Sequence, residues 1–409
     1  MSTQFSKRAL TAGLGVGALA LLAQTQDASA DTPFTGFSFR ATGAPTPRTM
    51  PDRLAEVVNV KEFGALGNGS NDDRPAIQAA FDFAFGSAAA PHGKNSVANK
   101  QVFFPGGNYL LGAPLVLTQV KGARIVGSGR ITTRLAGQSG VIVANGLVNS
   151  HIEGFRLDSN GVCLDLDWNG NGSVGLDGNT FVDMFYGTGS VGVRIGNSGH
   201  GGSNNVFINN FADSCTIGLT TTGDQAVNQS YIGGNMQSCT TGILVTRGSV
   251  SSVMGTGFQQ SSGWDIQTAT TAAAAPISLI GCRSESHQHA YFTNNVVASV
   301  SGVTHLENAD SVLVQAQGGV VLMEGCNTYG TVRIRDGARV TIQNCFFQPL
   351  AWIDAPANLL WYTPTNPISA NIELEDVRYD WLGSQAHIFK ERWFTTNGST
   401  LTKQSYTLT

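Results

Sequence analysis

Arg283-Ser-Glu285-Ser-His287-Gln-His289-Ala-Tyr291 is the densest run of chemically capable side chains in the sequence. An arginine can neutralise an anionic group, and an imidazole, phenol or carboxylate can carry a proton in a general acid–base step. Arg283 is the candidate for charge neutralisation. His289 is the preferred base, because His287 falls in register with Cys215, Cys239 and Ser262, a set expected to point inward. Glu285 belongs to a polar series spaced at regular intervals: Asp213, Gln237, Gln260, Glu285 and then Asp310, with Tyr329 further on. Glu285 and Asp310 as neighbours on successive strands would lie about 5 Å apart. Two carboxyls that close push one pKa up, which sets an acid beside a base and suits a retaining glycosidase. The same stretch also fits a solvated strand and turn.

The spacing of these residues comes from an internal repeat. Four segments begin at Phe207, Tyr231, Met254 and Leu279, which are 24, 23 and 25 residues apart. Each holds short runs of Val, Ile, Phe and Thr broken by Asn, Gly and Ser, such as Val191-Gly-Val-Arg-Ile195 and Ile243-Leu-Val245. Such runs are strands between turns. A propeller blade needs about 40 residues or more, whereas a unit near 24 fits one coil of a parallel β-helix with about three strands per turn. The fold expected is therefore all-β, a solenoid in which equivalent side chains stack. Cys215 and Cys239 are equivalent in this register, and Cys282, Cys326 and Cys345 align with later units. They are expected to form a ladder of small buried side chains rather than disulfides.

Of 409 residues, 24 are Lys or Arg and 28 are Asp or Glu, giving a formal net charge of −4. That balance argues against a nucleic-acid partner, which would need a basic face. A local basic cleft for an acidic sugar polymer is still compatible with it. Residues 1–30 have the features of a secretory signal peptide: basic Lys7 and Arg8, an apolar run from Ala9 to Leu22, and Ala28-Ser-Ala30 as a cleavage site. The apolar run is too short for a standard membrane span, and no later segment offers one. The expectation is a secreted protein, extracellular or periplasmic. The expected divisions are an N-terminal extension over 31–55, the coils over 56–355 and a C-terminal cap or tail over 356–409. Trp352, Trp361, Trp381 and Trp393 fall at or in that tail, where they would cover the last coil.

Val58-Asn-Val-Lys-Glu-Phe63-Gly-Ala-Leu-Gly67-Asn-Gly69-Ser-Asn-Asp72-Asp73-Arg-Pro75-Ala-Ile77 resembles the opening of the pectate-lyase-like superfamily. Gln101-Val-Phe-Phe-Pro105-Gly-Gly-Asn-Tyr109 resembles the stretch that follows it there. The resemblance implies a right-handed parallel β-helix with an N-terminal capping helix and an irregular C-terminal cap. Asp72 and Asp73 precede Pro75 and an apolar-periodic stretch, so they are expected to start that helix rather than act as a catalytic pair.

The superfamily's polygalacturonase-like motifs are not reproduced. Gly199-His200-Gly201 lies in a glycine-rich loop, 133 residues from Arg333-Ile334-Arg335. The resemblance still implies an acidic polysaccharide as substrate, cut by β-elimination or hydrolysis. In a lyase, Arg283 would neutralise a uronate and His289 would take the C5 proton. Asp213, Gln237, Gln260 and Tyr329 would line the sugar chain. A non-catalytic glycan-binding or structural surface protein is the alternative. No dedicated metal site is expected. Ca²⁺ is the ion that Asp165, Asp167, Asp183 and Asp213 would suit. Monomer and homotrimer both stay open.

Overall fold

The computed structural model describes residues 38–39, 43, 45–87, 90–91, 100–168, 174–268, 276–285, 289–294, 297–305, 312–317, 319–328, 331–335, 339–347, 360–362, 371–381, 384–394 and 402–405. Residues 1–30, His287, Asp310 and Tyr329 lie outside the described residues. The chain forms two compact bodies, Met1–Glu56 and Val57–Thr409. In the first, Ser38–Phe39 pairs antiparallel with Arg48–Thr49, and Thr49 caps the short helix Met50–Leu54 by accepting from the Asp52 amide.

The second body is a parallel β-helix with three faces. On the first face, Ile125, Ile152, Phe181, Phe207, Tyr231, Val253 and Leu279 follow one another in parallel register and point inward. On the second face the inward column is Leu135, Leu157, Tyr186, Ala212, Met236, Phe258 and Ser284. The third face contributes Ile142, Leu164, Val193, Leu219, Ile243, Ile266 and Tyr291. On the first face the strands alternate, so a buried residue is flanked by two outward ones, as in Thr180-Phe181-Val182. Stacked rings such as Phe181 on Phe207, 5.0 Å between centroids, fill the interior.

The corners explain the Asn, Asp and Gly that break up the sequence. Between the first and second faces, Gly154, Asp183, Asn209, Gly233, Gly255, Gly281, Gly302, Gly325 and Asn344 are all left-handed, with positive φ. Glycine has no Cβ to clash there, and Asn and Asp tolerate the conformation best among the rest. Between the second and third faces, Thr188, Ser214, Ser238 and Gln260 take the same conformation. A buried amide ladder fixes another corner. The Asn179 side-chain amide donates to Asn205 Oδ1 at 2.8 Å, and that of Asn205 donates to Gln229 Oε1 at 3.0 Å. All three residues are fully buried, so each would be costly if left unpaired.

One part of the sequence register is corrected. Val253, not Met254, stands opposite Tyr231 and Leu279. The steps from Phe207 are thus 24, 22 and 26 residues. The loop between the third and first faces varies in length, and this absorbs the difference. Because side chains alternate faces, the one-residue slip places Met254 outward. It also makes Ser261, not Ser262, the buried partner of Cys239.

The helix Arg74–Phe85 buries Ile77, Ala80, Phe81, Ala84 and Phe85 in the same core as the first strands, with Phe81 edge-on to Phe104. Asp72 Oδ1 accepts from the amides of Arg74 and Gly112, and Asp73 accepts from those of Leu66 and Gly67. Both carboxylates are therefore engaged by backbone at the helix start. At the other end, Asn371–Trp381 joins the ladder beside Arg339–Gln343 and folds back antiparallel on Ser384–Phe394. All six cysteines are free and buried. No helix among the described residues is long and apolar enough to cross a membrane.

Candidate active site on the second face

The second face carries two outward columns. One runs Arg134, Arg156, Phe185, Phe211, Asn235, Gly257 and Arg283. The other runs Ala136, Asp158, Gly187, Asp213, Gln237, Gln259 and Glu285. Six strand spacings separate the ends of each column, about 29 Å. Arginines, aromatic rings, amides and carboxylates are thus laid out in two parallel rows, which suits an extended polar polymer.

Charge is concentrated at the N-terminal end of the face. Asp158 Oδ2 accepts from Arg134 Nε at 2.5 Å and from Arg156 Nε at 2.8 Å. Both bonds are charge-assisted. Asp158 is only 5% exposed, yet its Oδ1 has no hydrogen-bond partner. That oxygen faces the backbone of Gly187, where a Cβ would lie 2.2 Å from it. Glycine at 187 therefore lets the carboxylate pack against the backbone of the next strand. Asp158, Arg134, Thr188, Asn160 and Ser70 help line a depression of about 380 Å³.

A second depression of about 290 Å³ is lined by Arg130, Ile131, Arg156, Phe185 and Phe211. The Arg156 guanidinium lies over the Phe185 ring at 4.6 Å, and that of Arg130 over Phe211 at 3.9 Å. Arg156 lines this depression and pairs with Asp158 of the first, so the two are neighbours. Asp213 stands two strands beyond Asp158 across Gly187, about 9–10 Å away. Its Oδ1 accepts from Ser214 Oγ at 3.0 Å. Thr188, between the two aspartates in sequence and space, holds φ +56°. It is the corner conformation shared with Ser214, Ser238 and Gln260.

The candidates read from sequence are placed as follows. Asp213, Gln237, Arg283 and Glu285 all lie on this face. Gln260 does not stand in their column: Gln259 does, pairing in register with Gln237 and Glu285. Gln260 is the corner residue after it, and its side chain accepts from Ser238 Oγ. The cause is the same register slip that moved Met254. Gln259 takes a bond from Asn235 and gives one to Glu285, both at 3.1 Å. Glu285 also pairs with Arg283 on its own strand.

His289 begins a strand of the third face, opposite Trp264, and so is not on the face of Arg283 and Glu285. The backbone of Thr304 and His305 stands opposite Arg283 and Ser284. Arg333–Arg335 lies on the third face, and Gly199-His200-Gly201 lies in the loop after Val191–Ile195.

The four aspartates that would suit Ca²⁺ are dispersed. Asp165 is held bidentately by Arg194, Asp167 accepts from Ser198, and Asp183 pairs with Arg130. The pairing with Asp165 raises the Arg194 pKa. Among the described residues, no three His, Cys, Asp or Glu are grouped so as to hold a metal ion.

Arg134, Arg156, Asp158, Phe185 and Phe211 were not singled out from the sequence. A signal for them exists. Arg156-Leu-Asp158-Ser, Phe185-Tyr-Gly187-Thr, Phe211-Ala-Asp213-Ser and Asn235-Met-Gln237-Ser are successive copies of one outward–inward–outward–corner unit.

Residues 57–273 match the family model described as rhamnogalacturonase A/epimerase, pectate lyase-like. The chain is 42% identical over 77 residues to the mannuronan C5-epimerase AlgE3 of Azotobacter vinelandii, covering 16% of this chain and 4% of that protein. It is 45% identical over 53 residues to AlgE1 of the same organism, covering 13% and 3%. The chain therefore spans only about 4% of the length of these curated relatives. Among solved structures it is similar to a double mutant of the tailspike protein of E. coli bacteriophage HK620, with TM-score 0.60 and 12% identity, covering 86% of this chain and 71% of that one. It is also similar to ORF18 of Geobacillus virus E2, with TM-score 0.51 and 14% identity, covering 85% and 76%. At such identities the structural likeness is one of fold. The family match takes in more than half of the chain and every strand that builds the Asp158–Asp213 site, so the protein belongs to the rhamnogalacturonase A/epimerase family of pectate-lyase-like parallel β-helix proteins.

Proposed function

We propose that this protein is a glycoside hydrolase that cuts an acidic polysaccharide lying along the second face. The observation that carries this is the pair Asp158 and Asp213, two strands apart across a glycine and flanked by Arg134 and Arg156. Carboxyls about 6.5–9.5 Å apart leave room for a water and suit inversion at the sugar carbon. The backbone spacing of about 9.6 Å sits at the upper limit of that range, and the side chains need only lean slightly toward each other to fall within it.

In this reading Asp158, which lines the depression with Arg134, accepts a proton from the attacking water. Asp213 faces the glycosidic oxygen and protonates the leaving group. Arg134 and Arg156 balance the charge of Asp158 and attract the acidic polymer. The family and the similarity to mannuronan C5-epimerases support a uronate-bearing substrate. Hydrolysis is preferred over β-elimination because two carboxylates on one face can supply both the acid and the base it needs. The features of residues 1–30 support export to meet such a polymer.

The test is incubation with a panel of uronate-containing polysaccharides, following reducing ends and absorbance at about 235 nm, where unsaturated ends absorb. Reducing ends without absorbance are expected. Rising absorbance would assign a lyase instead. Deuterium uptake at C5 with no cleavage would assign an epimerase. Binding with no product at all would favour a glycan-binding protein.

A further inference from the structure

Arg130 belongs to a loop that does not share a coil with the residues it touches. The loop follows strand Arg124–Gly127 and is closed tightly. The amides of Thr132 and Thr133 donate to Gly129 O, and that of Ser128 donates to Thr133 Oγ1. From there the side chain reaches two and three strands along the helix. Its Nη1 pairs with Asp183 Oδ1 at 2.7 Å and donates to Asn209 O at 3.2 Å. Asn209 Nδ2 donates to the same Asp183 oxygen at 3.1 Å. Asp183 and Asn209 are successive left-handed corner residues, so the anchor is built from rigid backbone. The guanidinium is thereby held over the Phe211 ring.

Both polar contacts use Nη1. Among the described residues the Nε–Nη2 edge of the fork has no partner, and the other walls of the depression are Ile131, Arg156, Phe185 and Phe211. A guanidinium edge matches a planar carboxylate with two parallel hydrogen bonds. Each ring carries one guanidinium over its face, so the depression is lined by two positive groups backed by aromatic rings.

We propose that Arg130 is a specificity residue that reads the carboxylate of a uronate held between Arg130 and Arg156, so that the free acid is selected over its ester. This rests on the reading of the second face as an acidic-polysaccharide site. Asp183 acts as a positioning residue, since it fixes the arm without meeting the sugar. The pre-formed anchor means little side-chain freedom is lost on binding.

The experiment measures binding of three matched oligosaccharides to the full chain: a polyuronate, its methyl ester, and a sulfated neutral glycan. Wild type should bind the acid about ten- to hundredfold more tightly than the ester, the size expected of a charge-assisted bidentate contact. Arg130→Met, which keeps apolar contact with Phe211, should abolish that preference while leaving ester binding within about twofold. Arg130→Lys should recover only part of it, because an ammonium lacks the fork. Equal binding of acid and ester by wild type would overturn the proposal with no variant needed. So would an acid preference unchanged in Arg130→Met, which leaves the second-face site standing but removes Arg130 from it. Preference for the sulfated glycan would overturn the carboxylate as the group read. Binding of none of the three would remove the parent reading along with this one.

Discussion

Asp158 and Asp213 occupy the same outward column of one sheet face, with Gly187 as the only residue between them in register. A side chain at 187 would fill the gap into which Asp158 Oδ1 points. The two carboxylates therefore stand two strand spacings apart with no side chain between them in the column, and the chemistry is placed on that stretch of the face.

The first prediction follows from that gap. Gly187→Ala puts a Cβ 2.2 Å from Asp158 Oδ1. Overpacking at such a position costs about 1–3 kcal/mol. The carboxylate must move, so both the melting temperature and the cleavage rate should fall. Gly175→Ala, where an added Cβ meets nothing within 4 Å, is the control. A Gly187→Ala protein with wild-type cleavage would show that the space is not used.

Arg283 and Glu285 lie three strands beyond Asp213 in register, about 14 Å away. They can contact the polymer but not the bond between Asp158 and Asp213. Arg283→Ala should raise KM less than about tenfold and leave kcat near wild type, since a remote contact of this kind is worth about 1 kcal/mol. Initial rates over a range of polymer concentrations separate the two parameters. A fall in kcat of a hundredfold or more would move the reacting centre to Glu285.

Much of this was legible in the residues. The 24-residue interval from Phe207 to Tyr231, the Cys215–Cys239 equivalence and the opening around Phe63–Ile77 pointed to stacked parallel strands, which the structure has. What failed was register where coil length changes. A loop three residues shorter before Val250, partly offset by a one-residue bulge after it, shifted Met254 and Gln260 by one place, and alternation turned that into the wrong face. Asp158 was missed because a single aspartate beside two arginines reads as surface charge until register stacks Arg134 on Arg156. The reach of Arg130 to Asp183 and Asn209 was beyond any spacing rule, since it depends on how far a loop projects.

The cysteines give a prediction independent of function. All six are free and buried, and burial pushes the Cys282 thiol upward. A thiol is reactive only as an accessible thiolate. A colorimetric thiol reagent should find none in the folded protein and six after unfolding in denaturant without reductant. The structure splits the cysteines between two corners, Cys215 and Cys239 at one and Cys282, Cys326 and Cys345 at another, with Cys163 in a third-face strand. Prompt reaction of the native protein, or fewer than six thiols on unfolding, would contradict their burial as free thiols.

Alkaline stability follows from the buried tyrosines. Burial pushes Tyr109 up to about 12, and it raises Tyr186 and Tyr231 as well. A phenol raised in the folded state favours folding while it is protonated. That contribution is complete below the unfolded value near 10 and is lost as pH rises through the folded value. For Tyr109 it amounts to at most about 3 kcal/mol. Melting temperature should thus be insensitive to these groups up to about pH 10 and fall above it. Tyrosinate absorbance from the buried phenols should appear together with unfolding. Free titration of every tyrosine near pH 10 in a folded protein would contradict their burial.

The most direct test of the central claim is the rate of reducing-end release from a uronate polymer by wild type, Asp158→Asn and Asp213→Asn, each checked for folding by circular dichroism. Loss of a general acid or base costs about 10²–10⁴ in rate. The account predicts a loss of at least a hundredfold in each variant, with the fold retained. Wild-type rates in either folded variant would place the reaction elsewhere on the helix.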